Sequence, residues 1–455
     1  MTTTIDNKKY LFENMPIARA LTKMAIPTII GQLITMVYNL ADTFFIGQTD
    51  NPFMVAAASV AFVLFFIQNA LSNLFGVGGG SLISRLLGQN RKDEAKRVNA
   101  CSLYGTTLLA LLYSCGCYIF MEPLLGLLGA TDHTILYCCQ YTFWVTVIGG
   151  VPTCLALVMS HLLRSEGYAK QASFGLGLGG ILNIIFDPIF MFLIFAPGQE
   201  VMGAAMATML SNCISFLYFA ITCHCLRRNT SFCIEPSKML PEKRSLIAIF
   251  AVGLPSSMGS LLSCVSNSVV NGLTSGYNDY TLAAMGIVKK IEMLPMNVGM
   301  GLCQSMAPLV AYNYSSQNYK RMHAFANAAK VVLAGICIVV FEIFSKSVFT
   351  IFMNESRTVA YGTDFLRIAI LATPLMIFNF QMGYTFQAMG KGMKSLILTA
   401  CRQGLINIPM LFLMNHLLGL YGVIWTQLVA DGITVVISVS LYRSFIKKLT
   451  LQEGH

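Results

Sequence analysis

A helix that crosses a bilayer needs about 20 mostly apolar residues, and this sequence offers twelve such runs in succession. They lie at roughly 21–46, 54–84, 98–120, 135–160, 170–195, 202–226, 246–274, 282–312, 325–352, 360–386, 395–417 and 421–444. The breaks between them carry polar and turn-forming residues, such as QTDNP, RSEGYAK and APGQE, and one longer basic stretch covers 227–245. Composition agrees. Only 11% of the 455 residues are charged, 55% are hydrophobic, and mean hydropathy is +0.66. A soluble protein carries about 25% charged residues, so lipid must replace water over much of this surface.

The charges that remain are unevenly placed. With the N-terminus taken as cytoplasmic and the runs alternating, 25 of the 30 Lys and Arg fall on the inner side, Arg85, Arg164 and Arg402 among them. The outer side receives Lys346, Arg357 and Arg367. This is the asymmetry of the positive-inside rule, and it implies an even number of helices with both termini inside. The net charge of +10 therefore reflects orientation in a membrane rather than nucleic-acid binding, for which no module is present. The N-terminal stretch lacks a signal-peptide core, so the first apolar helix is expected to direct its own insertion. Most of the 14 cysteines sit inside apolar runs and read as small buried hydrophobes. Cys223-His224-Cys225 has no partner motif and reads as packing rather than a metal site.

The chain also repeats itself. Pro27–Asn39 (PTIIGQLITMVYN) matches Pro255–Asn267 (PSSMGSLLSCVSN) in its Pro, Gly and Asn, at an offset of 228. Lys96-Arg97 answers Lys320-Arg321, Gly167 answers Gly390, and Asn183 answers Asn407, with offsets drifting between 223 and 228. Six helices separate the copies, so both enter the membrane from the same side. The expected fold is an all-α integral membrane protein. Its 12 transmembrane helices form two six-helix bundles, related by a pseudo-twofold axis along the membrane normal. The expected division is 1–226 as the N-terminal lobe, 227–245 as a cytoplasmic linker and 246–455 as the C-terminal lobe.

Two similar bundles leave a cleft that rocking exposes to each side in turn, which is the geometry of a secondary transporter. No GxxxxGK[ST] pattern is present, so energy would come from a gradient rather than from ATP bound by this chain. No nucleophile–base or metal constellation suggests an enzyme.

Ionisable residues inside the runs cost about 2.5–3.5 kcal/mol each on insertion scales and are functional candidates by default. Tyr38, Asn39 and Asp42 share one face of helix 1, Asn183 and Asp187 one face of helix 5, and Thr208 and Asn212 one face of helix 6. Pro188 cannot donate to the Ile184 carbonyl, which leaves that oxygen free beside Asp187. Such hard oxygen ligands suit Na⁺, and two crowded carboxylates equally suit a shared proton. In helix 8, Lys289, Lys290, Glu292 and the neighbouring Met293 could line the cleft, or Lys289 and Glu292 could form an internal ion pair. Glu122, Glu342, Lys346, Asp364 and Arg367 lie near predicted outer ends, where snorkelling suffices. Asp431, at the repeat position of Asn212, is a weaker candidate, and His161 and His416 read as ordinary interface residues.

Several of these segments carry a family resemblance: MAIPTIIGQLITMVYNLADTFFIGQ, GVGGGSLISRLLGQNRKDEAKR, RSEGYAKQA, NIIFDPIFMF, GAAMAT and LPMNVGMGLCQSMAPLVAYNY. In combination they resemble the multidrug and toxic compound extrusion (MATE) transporters, and most closely the bacterial branch of DinF-like and small multidrug pumps. The branch with a Glu in helix 7 fits less well, because helix 7 here has no acidic residue. The resemblance implies a two-lobed fold in the bacterial cytoplasmic membrane. It also implies export of amphipathic, often cationic compounds in exchange for Na⁺ or H⁺, with no other cofactor and a monomer as the working unit. Carried over residue by residue, it places a cation site on Asp42, Asn183, Asp187 and Thr208. The runner-up is a flippase for lipid-linked saccharides, against which the placement of most cationic charge in loops weighs. A receptor or scaffold needs neither the repeat nor buried carboxylates. Asp42 corresponds to Val270 and Asp187 to Leu411, so ion coupling is expected in the first half alone.

Overall fold

A computed structural model describes residues 9–49, 51–238, 242–277, 279–328 and 356–453. Glu342 and Lys346, named above, lie outside the described residues. The first half contains α1 (Ile17–Gly47), α2 (Pro52–Gly88), α3 (Lys92–Ile119), a short helix Met121–Leu127, α4 (Ile135–Ile148 and Gly150–Ser165), α5 (Ala169–Ile194) and α6 (Glu200–Leu226). The second half contains α7 (Lys243–Ser275), α8 (Asp279–Ser315), α9 (Tyr319–Ala328), α10 (Ser356–Ala388), α11 (Gly392–Leu418) and α12 (Leu420–Glu453). Among the described residues nine helices are long and apolar enough to cross a membrane, or ten with α4, whose parts meet at 52°. α8 spans 37 residues, but Lys289, Lys290 and Glu292 interrupt its apolar character. The expected run at 325–352 falls mostly outside the described residues.

The architecture is all-α, with twelve helices in two bundles, and backbone detail supports the repeat. Gly167 after α4 and Gly390 after α10 both adopt positive φ, 88° and 74°, where an L side chain would be strained. Asn90 after α2 and Gln317 after α8 match again, at 59° and 60°.

Among the described residues, the apolar clusters that join the halves lie at the end that carries the basic loops around 90, 166, 317 and 390. One apolar cluster there joins Ala20, Leu21 and Met24 of α1 to Met306, Leu309 and Tyr312 of α8, and another joins α2 to Ile249 of α7. At the opposite end each half has its own clusters, Met54, Tyr141 and Val201 in the first and Val288, Phe365 and Ile424 in the second. Lipid tails are as apolar as leucine, so helices in a bilayer gain from close backbone approach at small residues. A Cβ on Gly253 of α7 would lie 1.9 Å from the Leu74 carbonyl oxygen of α2. Polar links span the same end, with Ser81 Oγ donating to the Gln387 carbonyl at 2.6 Å and Gln32 Nε2 to Gln304 Oε1 at 2.9 Å.

Two segments that read as plain connectors are built into this end. Before α1, Leu11, Phe12 and Met15 are buried, Phe12 stacks on Tyr312 at 4.7 Å, and Arg321 Nε donates to the Phe12 carbonyl at 2.8 Å. The 227–245 stretch is not a free linker either. Thr230 to Cys233 are buried, the Ser231 amide donates to both Glu166 carboxylate oxygens at 3.0 and 3.1 Å, and α7 already begins at Lys243.

Because backbone atoms define the α2–α7 contact, Gly253→Ala should force the halves apart at the basic-loop end. We expect a loss of about 1–3 kcal/mol of stability, read as a lower melting midpoint of the detergent-solubilised protein. An unchanged midpoint would show that the two helices are not held in this contact.

Candidate functional site

The first-half site is built by where α5 can go. Its sequence GLGLGG presents small residues to both neighbours. Cβ atoms on Gly177 and Gly180 would sit 3.0 Å from Ile34 and 3.1 Å from Tyr38 of α1, while one on Gly179 would sit 3.1 Å from Ser215 of α6. α5 is thus clasped between α1 and α6. One and two turns further on, the same helix delivers Asn183 and Asp187 into the seam between them. Pro188 follows inside the helix, and the last turn relaxes into a π-helix at Phe190–Ile194.

Three of the four principal residues predicted from sequence meet through direct hydrogen bonds. Asn183 Nδ2 donates to Asp187 Oδ1 at 3.1 Å and to Thr208 Oγ1 at 3.1 Å. Asn183, Asp187 and Thr208 are 2%, 0% and 8% exposed. The fourth, Asp42 of α1, interacts electrostatically with Asp187 across the seam. Three oxygens of this cluster, Asp42 Oδ1, Asp187 Oδ2 and Asn183 Oδ1, are buried with no hydrogen-bond partner. Buried polar atoms are nearly always paired, and leaving one unpaired costs about 1–3 kcal/mol, more when it is charged. Such a knot of unpaired, electron-rich oxygens could hold a cation. The donor set of carboxylate and amide oxygens fits a hard ion such as Na⁺, and the paired carboxylates fit a proton as well. Among the described residues no three of His, Cys, Asp and Glu gather as a transition metal would require.

The secondary candidates divide. Tyr38 interacts electrostatically with both Asp42 and Asp187. Asn39 donates back to the Thr35 carbonyl at 2.8 Å, and Asn212 is half-buried one turn beyond Thr208. Sequence reasoning missed Tyr141 of α4, a buried phenol that interacts with Asp42, Asp187, Tyr38 and the Thr208 hydroxyl. In the sequence it is one aromatic residue in an apolar run, with no spacing signal to single it out.

The second half holds a different arrangement. Arg402, counted above among the inner basic residues, is not in a loop. It lies within α11, 6% exposed, and its Nε donates to Asp431 Oδ1 at 2.6 Å. Asn379 Nδ2 donates to the same oxygen at 3.0 Å and Gln427 Nε2 to Asp431 Oδ2 at 2.7 Å, while the guanidinium rests on the Phe380 ring. Asp431 is therefore the centre of a buried network. Glu292 of α8 interacts with Lys289, then Arg402 and Asp431. The helix-8 charges thus belong to an internal, charge-balanced group, although Lys290 and Met293 are exposed. At the repeat positions, Asn407 donates to Ser266 Oγ at 2.9 Å and Leu411 is buried where the first half has Asp187. In the first half carboxylate oxygens wait unpaired; in the second both oxygens of Asp431 are satisfied.

Comparison with known proteins follows the same two-part plan. The MatE family model matches residues 27–189 and again 255–413. The chain is 31% identical to "Multidrug export protein MepA" of Staphylococcus saprophyticus, over 99% of this chain and 98% of that protein. Among solved structures it is similar to "Crystal structure of MATE in complex with MaL6" (TM-score 0.91, 25% identity, 97% and 99% of the two chains). It is also similar to "Outward-facing conformation of a multidrug resistance MATE family transporter of the MOP superfamily" (TM-score 0.87, 26% identity, 97% and 98%).

Removing one partner of a buried ion pair costs about 3–5 kcal/mol, whereas replacing both by apolar residues is often neutral. Arg402→Gln should accordingly be strongly destabilising, and the double change Arg402→Met with Asp431→Leu should recover most of the loss. Chemical denaturation in detergent reads both, and a double variant no better than the single one would mean that the pair serves something other than charge balance.

Proposed function

The chain belongs to the MATE (MatE) family of multi-pass membrane transporters, and from that premise we propose that it is a secondary active multidrug efflux transporter. It exports amphipathic, often cationic small molecules in exchange for Na⁺ or H⁺ by alternating access. The observation that carries this reading is the set of three unpaired buried oxygens on Asp42, Asn183 and Asp187. It deepens what the similarity to a multidrug export protein supports, because it supplies a place for the coupling ion. The lobes are 1–226 and 246–455, joined through 227–245. The working unit is a monomer in the bacterial cytoplasmic membrane, with both termini inside.

The chain's own residues then divide the work. Asp187, Asn183 and Thr208 form the fixed wall of the site, and Asp42 closes it from α1. A cation there removes the repulsion between two buried carboxylates and draws α1 toward α5. Its departure leaves that repulsion uncompensated and favours a displaced α1. A cationic substrate that interacts with the same acids, or with the conformation the ion disfavours, is negatively coupled to the ion, which is what exchange requires. Contact between the lobes at the basic-loop end corresponds to a cleft open to the outside. The flippase reading gains nothing from Arg402, since Asp431 neutralises it where a lipid phosphate would otherwise be drawn.

In a drug-sensitive bacterial host, Asp42→Asn and Asp187→Asn should each lower ethidium efflux at least about tenfold, the equivalent of 1.4 kcal/mol, with the protein still present in the membrane. Efflux at the wild-type rate in both variants would remove the site from the mechanism. Collapsing the Na⁺ gradient and the pH gradient in separate assays identifies the coupling ion.

A further inference from the structure

A second cavity lies between the halves at the basic-loop end, far along the bundle from the carboxylates. It measures about 440 Å³ including its mouth. α2 and α4 of the first half and α8 and α10 of the second line it, through residues that include Ser84, His161, Arg164, Gln304 and Tyr384. Arg164, which the sequence places in a basic loop, is in fact in the last turn of α4 and only 3% exposed. Its Nη1 donates to Gln304 Oε1 at 3.1 Å, but its Nε is buried with no partner. Among the described residues no carboxylate bonds it, and its neighbour Glu166 is turned away onto Ser231.

A buried cation without a counter-charge costs several kcal/mol. The C-terminal end of α4 supplies roughly half a negative charge, which offsets part of this and not all of it. Most of the other polar groups here can donate as well, although the lining also holds the buried acceptor Gln387 Oε1. Gln304 Oε1 already accepts from both Arg164 and Gln32, which leaves its amide N–H groups to donate. The Tyr384 phenol stands beside Gln304, and the His161 ring beside Arg164. The site thus offers one net positive charge, several convergent donors and no acidic group.

We infer that this inner cavity is a binding site for a small monovalent inorganic anion, chloride in the cell, held by Arg164 and His161 of one half and by Gln304 and Tyr384 of the other. A monovalent ion balances the one guanidinium that lines the cavity, and Arg85, whose Nε donates to the carbonyl of the lining residue Ser81 at 3.3 Å, keeps the surroundings cationic. Because the donors come from both halves, the anion binds the form in which they are closed at this end. It therefore shifts the equilibrium toward that form by its difference in affinity for the two states.

The test uses the full-length protein in detergent with potassium as the sole cation, so that it does not depend on the coupling ion. Exchanging gluconate for chloride at constant ionic strength should raise the melting midpoint in a saturable way. Arg164→Gln should weaken the apparent chloride affinity at least about tenfold, as expected for a lost hydrogen bond to a charged group, while Lys96→Gln, an exposed change on α3, should leave it unchanged. If Arg164→Gln does not fold, Gln304→Met should show the same loss, and crystals soaked in bromide should give an anomalous peak in contact with Arg164. No chloride dependence in the wild type, equal dependence in the Arg164 variant, or no bromide peak each overturns the assignment. Acetate acting as well as chloride also overturns it, in favour of a site for carboxylate groups.

Discussion

Asn183 has one amide group with two N–H bonds, and both are engaged, one by Asp187 and one by Thr208. The first-half site follows from that count. The bonds tie α5 to α6 and fix the Asp187 carboxylate by one of its oxygens. They leave the other oxygen, and the carbonyl oxygen of the amide itself, buried with nothing to donate to them. An aspartate in place of Asn183 would add a third negative charge, and a leucine would release Thr208 and Asp187 from each other. Only a side chain that donates twice and still presents an oxygen both builds the wall and keeps the site electron-rich. The glycines of α5 are the precondition, since any bulkier residue at 177 or 180 would hold α1, and with it Asp42, away from the seam.

The two halves show how a duplicated fold separates architecture from chemistry. Both have left-handed loop glycines at 167 and 390 and a buried amide at 183 and 407. Architecture depends on backbone conformation and small-residue packing, which a few landmarks preserve. Charge depends on single side chains. In the second half Leu411 replaces the helix-5 acid, and the acid that remains, Asp431, is neutralised by Arg402 and two amides. A carboxylate so fully paired gains little from a cation, whereas the Asp42–Asp187 pair gains much. On the proposed reading, the asymmetry lets one half respond to an ion while the other stays the same.

Much of this is legible in the sequence because lipid removes options. Backbone groups in a bilayer must be satisfied inside their own helix, so apolar runs mark most helix ends to within a few residues where the structure describes them, although α12 continues to Glu453, nine residues past the run at 421–444. The i, i+4 spacings of Asn183 with Asp187 and of Tyr38 with Asp42 are enough by themselves to place those groups on shared faces. Pairing between distant helices is what the sequence hides. Arg402 falls inside the run at 395–417, but Asp431 is 29 positions away, and nothing in the sequence shows which buried group an arginine pairs with. Arg164 is hidden for the same reason, and Tyr141 because one tyrosine in an apolar run carries no periodic signal. Phe12 and Met15 precede the first span and read as part of an amphipathic leader, yet they pack into the core of the second half.

The two ends of the molecule impose opposite demands, and in the proposed mechanism their difference gives rocking a direction. At the basic-loop end the contact rests on backbone approach at Gly253 and on polar links such as Gln32–Gln304 and Ser81–Gln387. Such contacts are all made or all lost, because a helix cannot retreat partway from a carbonyl 1.9 Å from where a Cβ would be without giving up the packing along its length. At the other end the energy lies in the electrostatics of Asp42 and Asp187, which a single ion can reverse. A cooperative contact of many weak links resists gradual change, and a pair of buried like charges changes abruptly with occupancy. In the proposed mechanism, α1 and α2 join the two ends into a two-state element of the kind that coupling between distant sites requires. The ion need only supply the difference between two packed arrangements, not the cost of either one.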